Sequence, residues 1–223
     1  MSKSVYPTAA DIQAYLTASG IVMDGSTADS TFADFLGDIA DAGKLEFERR
    51  TDRKFLADTA DMIYYFNPPA DTQGVLFLNE IKDLISVTSI VYQPTGSTAL
   101  TLTLNTDYWL EPANNLAVGR PYEWVQFRTG RFLAPITPAQ RRSIIITGKA
   151  GYAAAIPTDA WRAMISCGLL SEIGTLAQFF TGGLLSWRGA DGTTETYKGL
   201  SQWGEDMQCA VDNAAARYRR VTF

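Results

Sequence analysis

The period of the hydrophobic pattern changes twice along this chain, and no other feature limits its fold as much. Near the N-terminus apolar residues recur about every 3.6 positions, the spacing of one helix face. Ile12, Tyr15 and Leu16 form one such set, and Phe32, Phe35, Leu36, Ile39 and Phe47 a longer one. From about residue 60 to 150 the period drops to about 2, the alternation of a half-buried strand. Beyond Pro157 it returns to the helical value, with Trp161, Met164, Ile165, Leu169, Ile173, Leu176, Phe179 and Phe180. No helix of useful length fits between the strand-like runs, so a parallel βαβ arrangement is not expected. The predicted class is α+β, a helical bundle with an antiparallel β insertion between its N-terminal and C-terminal helices. Residues 1–58 supply the N-terminal helices and 59–152 the insertion. Residues 153–223 supply the C-terminal helices, a glycine-rich loop and a tail. A length of 223 residues suits one structural domain plus an insertion.

Local signals sharpen this outline. Thr8 followed by Asp11 reads as a capped helix start, with Gly20 as its stop. In the next helix Asp34, Asp38 and Asp41 precede Arg49, Arg50, Arg53 and Lys54. That order favours the helix dipole, so dipole pairing and solvation explain the basic cluster more simply than phosphate binding. The strand runs are 61–66, 74–78, 86–92, 108–110, 122–127 and 144–146, and Leu100, Leu102 and Leu104 alternate with Thr101 and Thr103. The third helix, opening at Pro157, is apolar around more than half its circumference. It is therefore expected at the centre of the bundle or shared between subunits. Glu172 projects from that arc, and a buried carboxylate needs a partner or a proton. An ion pair inside the bundle or across a subunit boundary is favoured over a catalytic acid. Residues 181–199 hold five glycines and Trp187, which reads as a loop ordered by a partner or a flexible connector. A last helix carries Leu200, Trp203, Met207, Val211, Ala214 and Tyr218, and its tail is expected to add little to the core.

The chain has no histidine, which removes Ser–His and Cys–His nucleophile pairs, His-based zinc sites and the commonest general base. Cys167 and Cys209 make no metal spacing, and two reduced thiols are a simpler reading than a disulfide. No phosphate loop, GxGxxG or GxSxG occurs. No enzymatic activity, cofactor or metal is expected; a carboxylate-based hydrolase is the residual alternative. The net charge of −5 opposes tight binding of nucleic acid. No signal peptide is visible at the N-terminus, and no run of about 18 apolar residues could span a membrane.

Three stretches carry a family likeness. The first is the capped short helix at Thr8 and the long helix ending in Glu46-Phe-Glu-Arg-Arg-Thr-Asp-Arg-Lys-Phe55. The second is Ile144-Ile-Ile-Thr-Gly-Lys-Ala-Gly-Tyr152 with Ala155-Ile-Pro-Thr-Asp159. The third is the closing helix and its Arg-Tyr-Arg-Arg tail. Together they resemble the head–tail connector (adaptor) proteins of long-tailed bacteriophages. The resemblance implies a structural virion protein, assembled as a twelvefold homo-oligomeric ring under the portal in the neck. Host cytoplasm would be its location during assembly. DNA would pass through the channel without specific binding, and a stopper or tail-terminator protein would dock below. It further implies that Arg217, Tyr218, Arg219, Arg220 and Phe223 dock into the portal; the residues themselves, not the resemblance, mark Glu172 and Trp187 as expected subunit-interface positions. Another neck or tail protein, such as a head-completion or tail-terminator ring, is the alternative.

Overall fold

The computed structural model describes residues 2–19, 30–69, 73–115, 117, 119–128, 140–172, 186–188, 194–196 and 200–220. In chain order the elements are β1 (Ser2–Lys3), α1 (Ala9–Ala18), α2 (Ser30–Thr51), β2 (Met62–Phe66), β3 (Val75–Phe77), β4 (Leu84–Tyr92) and β5 (Leu100–Leu102). There follow β6 (Tyr108–Glu111), β7 (Trp124–Phe127), β8 (Ile144–Ala150), β9 (Ile156–Pro157), α3 (Thr158–Ser171), β10 (Ser186–Arg188), β11 (Thr194–Thr196) and α4 (Leu200–Tyr218). The fold is thus mixed, with helices and antiparallel sheets. Two compact units result: Met1–Asp52 with Pro157–Phe223, and Arg53–Ile156.

The helical unit begins as its sequence dictates. Thr8 Oγ1 accepts from the Asp11 N–H at 3.4 Å, and Asp11 Oδ2 accepts from the Thr8 N–H at 3.0 Å. These two bonds satisfy amides that an uncapped helix would leave bare. α1 ends at Ala18, where Ser19 caps it and donates its hydroxyl to the Tyr15 carbonyl at 2.9 Å; Gly20, the expected stop, lies outside the described residues. α2 buries Phe32, Leu36, Ile39, Ala40, Gly43, Phe47 and Thr51, and exposes Asp34, Asp38 and Asp41. α3 buries Ala160, Trp161 and every residue from Ala163 to Leu169, so it is enclosed nearly all round as its arc requires.

α2 and α3 cross at backbone distance because a glycine stands on each side. A Cβ on Gly43 would lie 2.1 Å from the Met164 carbonyl oxygen, and one on Gly168 would lie 2.1 Å from that of Ile39. No larger residue fits either place without separating the helices. α3 extends only to Ser171, whose hydroxyl turns back on the Gly168 carbonyl at 2.7 Å, a bond that competes with further helix. Glu172 therefore stands at the C-cap of α3, half-buried, instead of in mid-helix. The rest of the expected arc, from Ile173 to Phe180, lies outside the described residues.

The second unit holds two antiparallel sheets, ordered β2-β8-β4-β5 and β3-β7-β6. The alternation read from the sequence is their inside–outside pattern. In β8, Ile144, Ile146, Gly148 and Ala150 are buried, while the residues between them are half-exposed. Both sheets feed one core, including Phe66, Leu78, Ile90, Val125, Phe127 and Ile146. The leucine alternation at 100–104 is only half realised. Leu102 is buried, whereas Leu100 and Leu104 are 47% and 46% exposed, because β5 is a three-residue strand at the sheet edge. Within 181–199, expected as loop, β10 and β11 pair antiparallel with Trp187 opposite Glu195.

Candidate partner-binding site at the end of the last helix

Of the apolar stripe expected on α4, Met207, Val211, Ala214 and Tyr218 are all buried, and the side chains of Leu200 and Trp203 lie outside those described. The stripe brings the helix end to the first turn of α3. There Tyr218 donates its hydroxyl to Asp159 Oδ1 at 2.6 Å, and Arg217 Nη1 donates to Oδ2 at 2.8 Å. Burial pushes the Asp159 carboxyl up, but the bonds from Tyr218 and Arg217 outweigh it and hold the group below the ordinary carboxylate range. The Arg220 N–H donates to the Thr51 carbonyl at 3.0 Å, satisfying an orphan acceptor at the end of α2.

These bonds correct one expectation. Tyr218 and Arg220 are only 8% and 4% exposed, so the tail is not peripheral to the core. The signal was invisible in sequence because Asp159 lies 58 and 59 residues from its two partners. Of the five residues expected to dock a partner, Arg217 and Arg219 present exposed side chains, Tyr218 and Arg220 are committed inward, and Phe223 lies outside the described residues.

Beside this cluster runs a recess of about 550 Å³, lined in part by Tyr15, Thr158, Asp159, Arg162, Asn213 and Arg217. These residues bring two guanidinium groups, an amide and two hydroxyls that can donate to acidic side chains, beside the Asp159 carboxylate that Arg217 already holds. Among the described residues no group of three His, Cys, Asp or Glu side chains could hold a metal ion. Glu172 stands at the far end of α3 from Asp159, ~20 Å away for a helix of that length. Trp187 sits on β10. The described residues therefore place Glu172 apart from Arg217 and Tyr218, which bind Asp159.

The basic run after residue 48 proves to be two structures. Arg49 and Arg50 both bind Glu46, whose carboxyl their hydrogen bonds pull down to about 2. Arg50 also reaches Asp212 on α4 at 3.2 Å. Arg53, read with them as a solvated cation, is instead buried in the β unit. It donates to Asp83 at 2.6 Å and to Glu123 at 2.7 Å, with its guanidinium 5.2 Å from the ring centre of Tyr152. Burial disfavours its charge, yet the two carboxylates prevail and its pKa is raised. Both thiols are free; Cys167 is buried and Cys209 exposed.

No protein-family model matches the chain, and no curated protein matches it in sequence. Solved structures do match in fold. One is a chain from the neck of an empty gene transfer agent (GTA) particle computed with C6 symmetry. It has a TM-score of 0.52 and 15% identity, and the match covers 100% of this chain and 97% of that one. Another comes from the virion of a native GTA particle, with a TM-score of 0.51, 16% identity, and coverage of 100% and 96%. At such identities the likeness is one of fold. Among the described residues, no helix is long and apolar enough to cross a membrane.

Proposed function

We propose that this chain is a structural neck protein of a phage-like particle, and within that class the head–tail connector that builds a ring beneath the portal. In this reading the helices form the bundle, the β unit is its insertion, and the ring extends the DNA channel and presents a platform to the tail side. One observation carries it: the fold matches a neck chain end to end, covering nearly all of both proteins. A match confined to one unit would speak only for a common module. The C6 symmetry of that neck is a subgroup of a twelvefold ring, so it supports six copies or a multiple of six, twelve included. A subunit of net charge −5 suits a conduit, because like charge keeps DNA sliding. The exposed Arg217 and Arg219 and the Arg162-lined recess supply the cationic surface for an acidic groove on the portal.

Antibody labelling of intact particles tests the reading. Label is expected at the head–tail junction, and label along the tail or over the capsid shell would refute it. Label at the head-proximal end of detached tails, and absent from tailless heads, would favour a terminator ring. Arg219→Glu is expected to leave melting unchanged and yield tailless heads, whereas normal attachment by this variant would remove the tail from the portal contact.

A further inference from the structure

The four-stranded sheet of the β unit ends in two open edges. Among the described residues, neither β2 nor β5 has a second strand neighbour. Soluble proteins usually protect such edges with charged residues, proline or bulges, since unpaired amides invite another strand. Neither edge strand carries a charge, a proline or a bulge, and only the three-residue length of β5 blunts its edge. β2 reads Met62-Ile-Tyr-Tyr-Phe66 and β5 reads Leu100-Thr-Leu102. Met62, Ile63 and Tyr65 are 51%, 57% and 55% exposed, and Leu100 is 47% exposed at the other edge. The outer face continues in the same character. One row across the sheet runs Tyr65, Ile145, Val91, Thr101, each residue opposite the next.

Strand direction suits a second copy of the chain as the occupant. β2 is antiparallel to β8, β8 to β4, and β4 to β5. Three reversals make the two edges run in opposite directions. A second copy placed beside the first in the same orientation therefore brings its β5 against β2 antiparallel, and the alternation of the sheet carries on unbroken. Bond geometry favours this pairing, and the uncharged row from Thr101 to Tyr65 extends across the junction.

We infer that copies of this chain join head to tail by pairing β2 of one with β5 of the next. The contact is heterologous, so an open row of copies keeps one free edge of each kind until it closes on itself. It deepens the ring reading above and rests on that reading only for the closure.

Cross-linking tests it, in a Cys209→Ser background that removes the exposed thiol. Concentrated chain carrying Tyr65→Cys, mixed with chain carrying Thr101→Cys, should form one disulfide-linked pair under mild oxidation. The doubly substituted chain should give a ladder, and either single variant alone should stay uncoupled. Tyr65→Lys or Thr101→Lys should abolish association in sedimentation without lowering the melting temperature, because both side chains face solvent. Self-coupling of either single variant would mean two-fold pairing and overturn the inference, as would association that survives both lysine variants or a chain that never associates. Rings seen in micrographs without the 65–101 link would sink this interface and leave the neck reading standing. Antibody label away from the neck, with the link present, would do the reverse.

Discussion

Replacing Gly43 with alanine sets two opposed effects against each other, and the structure decides which wins. In an exposed helix interior the change gains about 0.8–1 kcal/mol of helix propensity. Here the new methyl would sit 2.1 Å from the Met164 carbonyl oxygen and 2.7 Å from the Gly168 amide nitrogen. The obstacle is backbone of the facing helix, which cannot swing away as a side chain would. α2 and α3 must part by ~1 Å, a gap that forfeits a quarter to a half of each dispersion contact along the seam. Overpacking of this kind costs about 1–3 kcal/mol, and a backbone obstacle places it at the upper end. Subtracting the propensity gain leaves a net loss of about 2 kcal/mol. For a protein of this size that lowers the melting temperature by roughly 4–8 °C. Gly37 on the same helix supplies the control. A Cβ there meets nothing within 4 Å, so Gly37→Ala keeps the gain and raises stability by up to about 1 kcal/mol. Urea and thermal denaturation followed by helical circular dichroism measure both. If Gly43→Ala is as stable as Gly37→Ala, the close crossing does not exist as described.

Arg53→Leu strands Asp83 and Glu123 without their cation and is expected to cost about 3–5 kcal/mol in urea unfolding, far more than Arg49→Ala at the surface. Glu46 has its folded pKa pulled from 4.5 to about 2, so its contribution is present above pH 4.5 and lost as pH falls toward 2. Solvent screening keeps that contribution under about 1 kcal/mol, and acid titration of Glu46→Gln should show that part of the slope missing. Burial pushes the Cys167 thiol up to about 11 while Cys209 is exposed, so one equivalent of a thiol reagent should react in the folded protein and a second only after denaturant; two fast equivalents would contradict the burial of Cys167.

What the sequence determined by itself is whatever rests on neighbours in the chain. The capping box at Thr8 and Asp11 spans three residues, and both partners were legible before any fold existed. The strand runs were legible because burial on one face imposes alternation, as in Ile144, Ile146, Gly148 and Ala150 of β8. The enclosed character of α3 was likewise written in its composition. Tertiary structure decided everything that joins distant residues. Arg53 looks like its neighbours Arg49 and Arg50 until β4 and β7 bring Asp83 and Glu123 to it from 30 and 70 residues away. Tyr218 and Arg220 look like a solvated tail until α3 and α2 present Asp159 and the Thr51 carbonyl. The sheet order β2-β8-β4-β5, and with it which edges stay open, follows from pairings whose partners no local pattern names. Local free energies of a few tenths of a kcal/mol per residue choose helix or strand. Desolvation of a charge or a bare edge is worth several, and it is settled only when the chain has closed on itself.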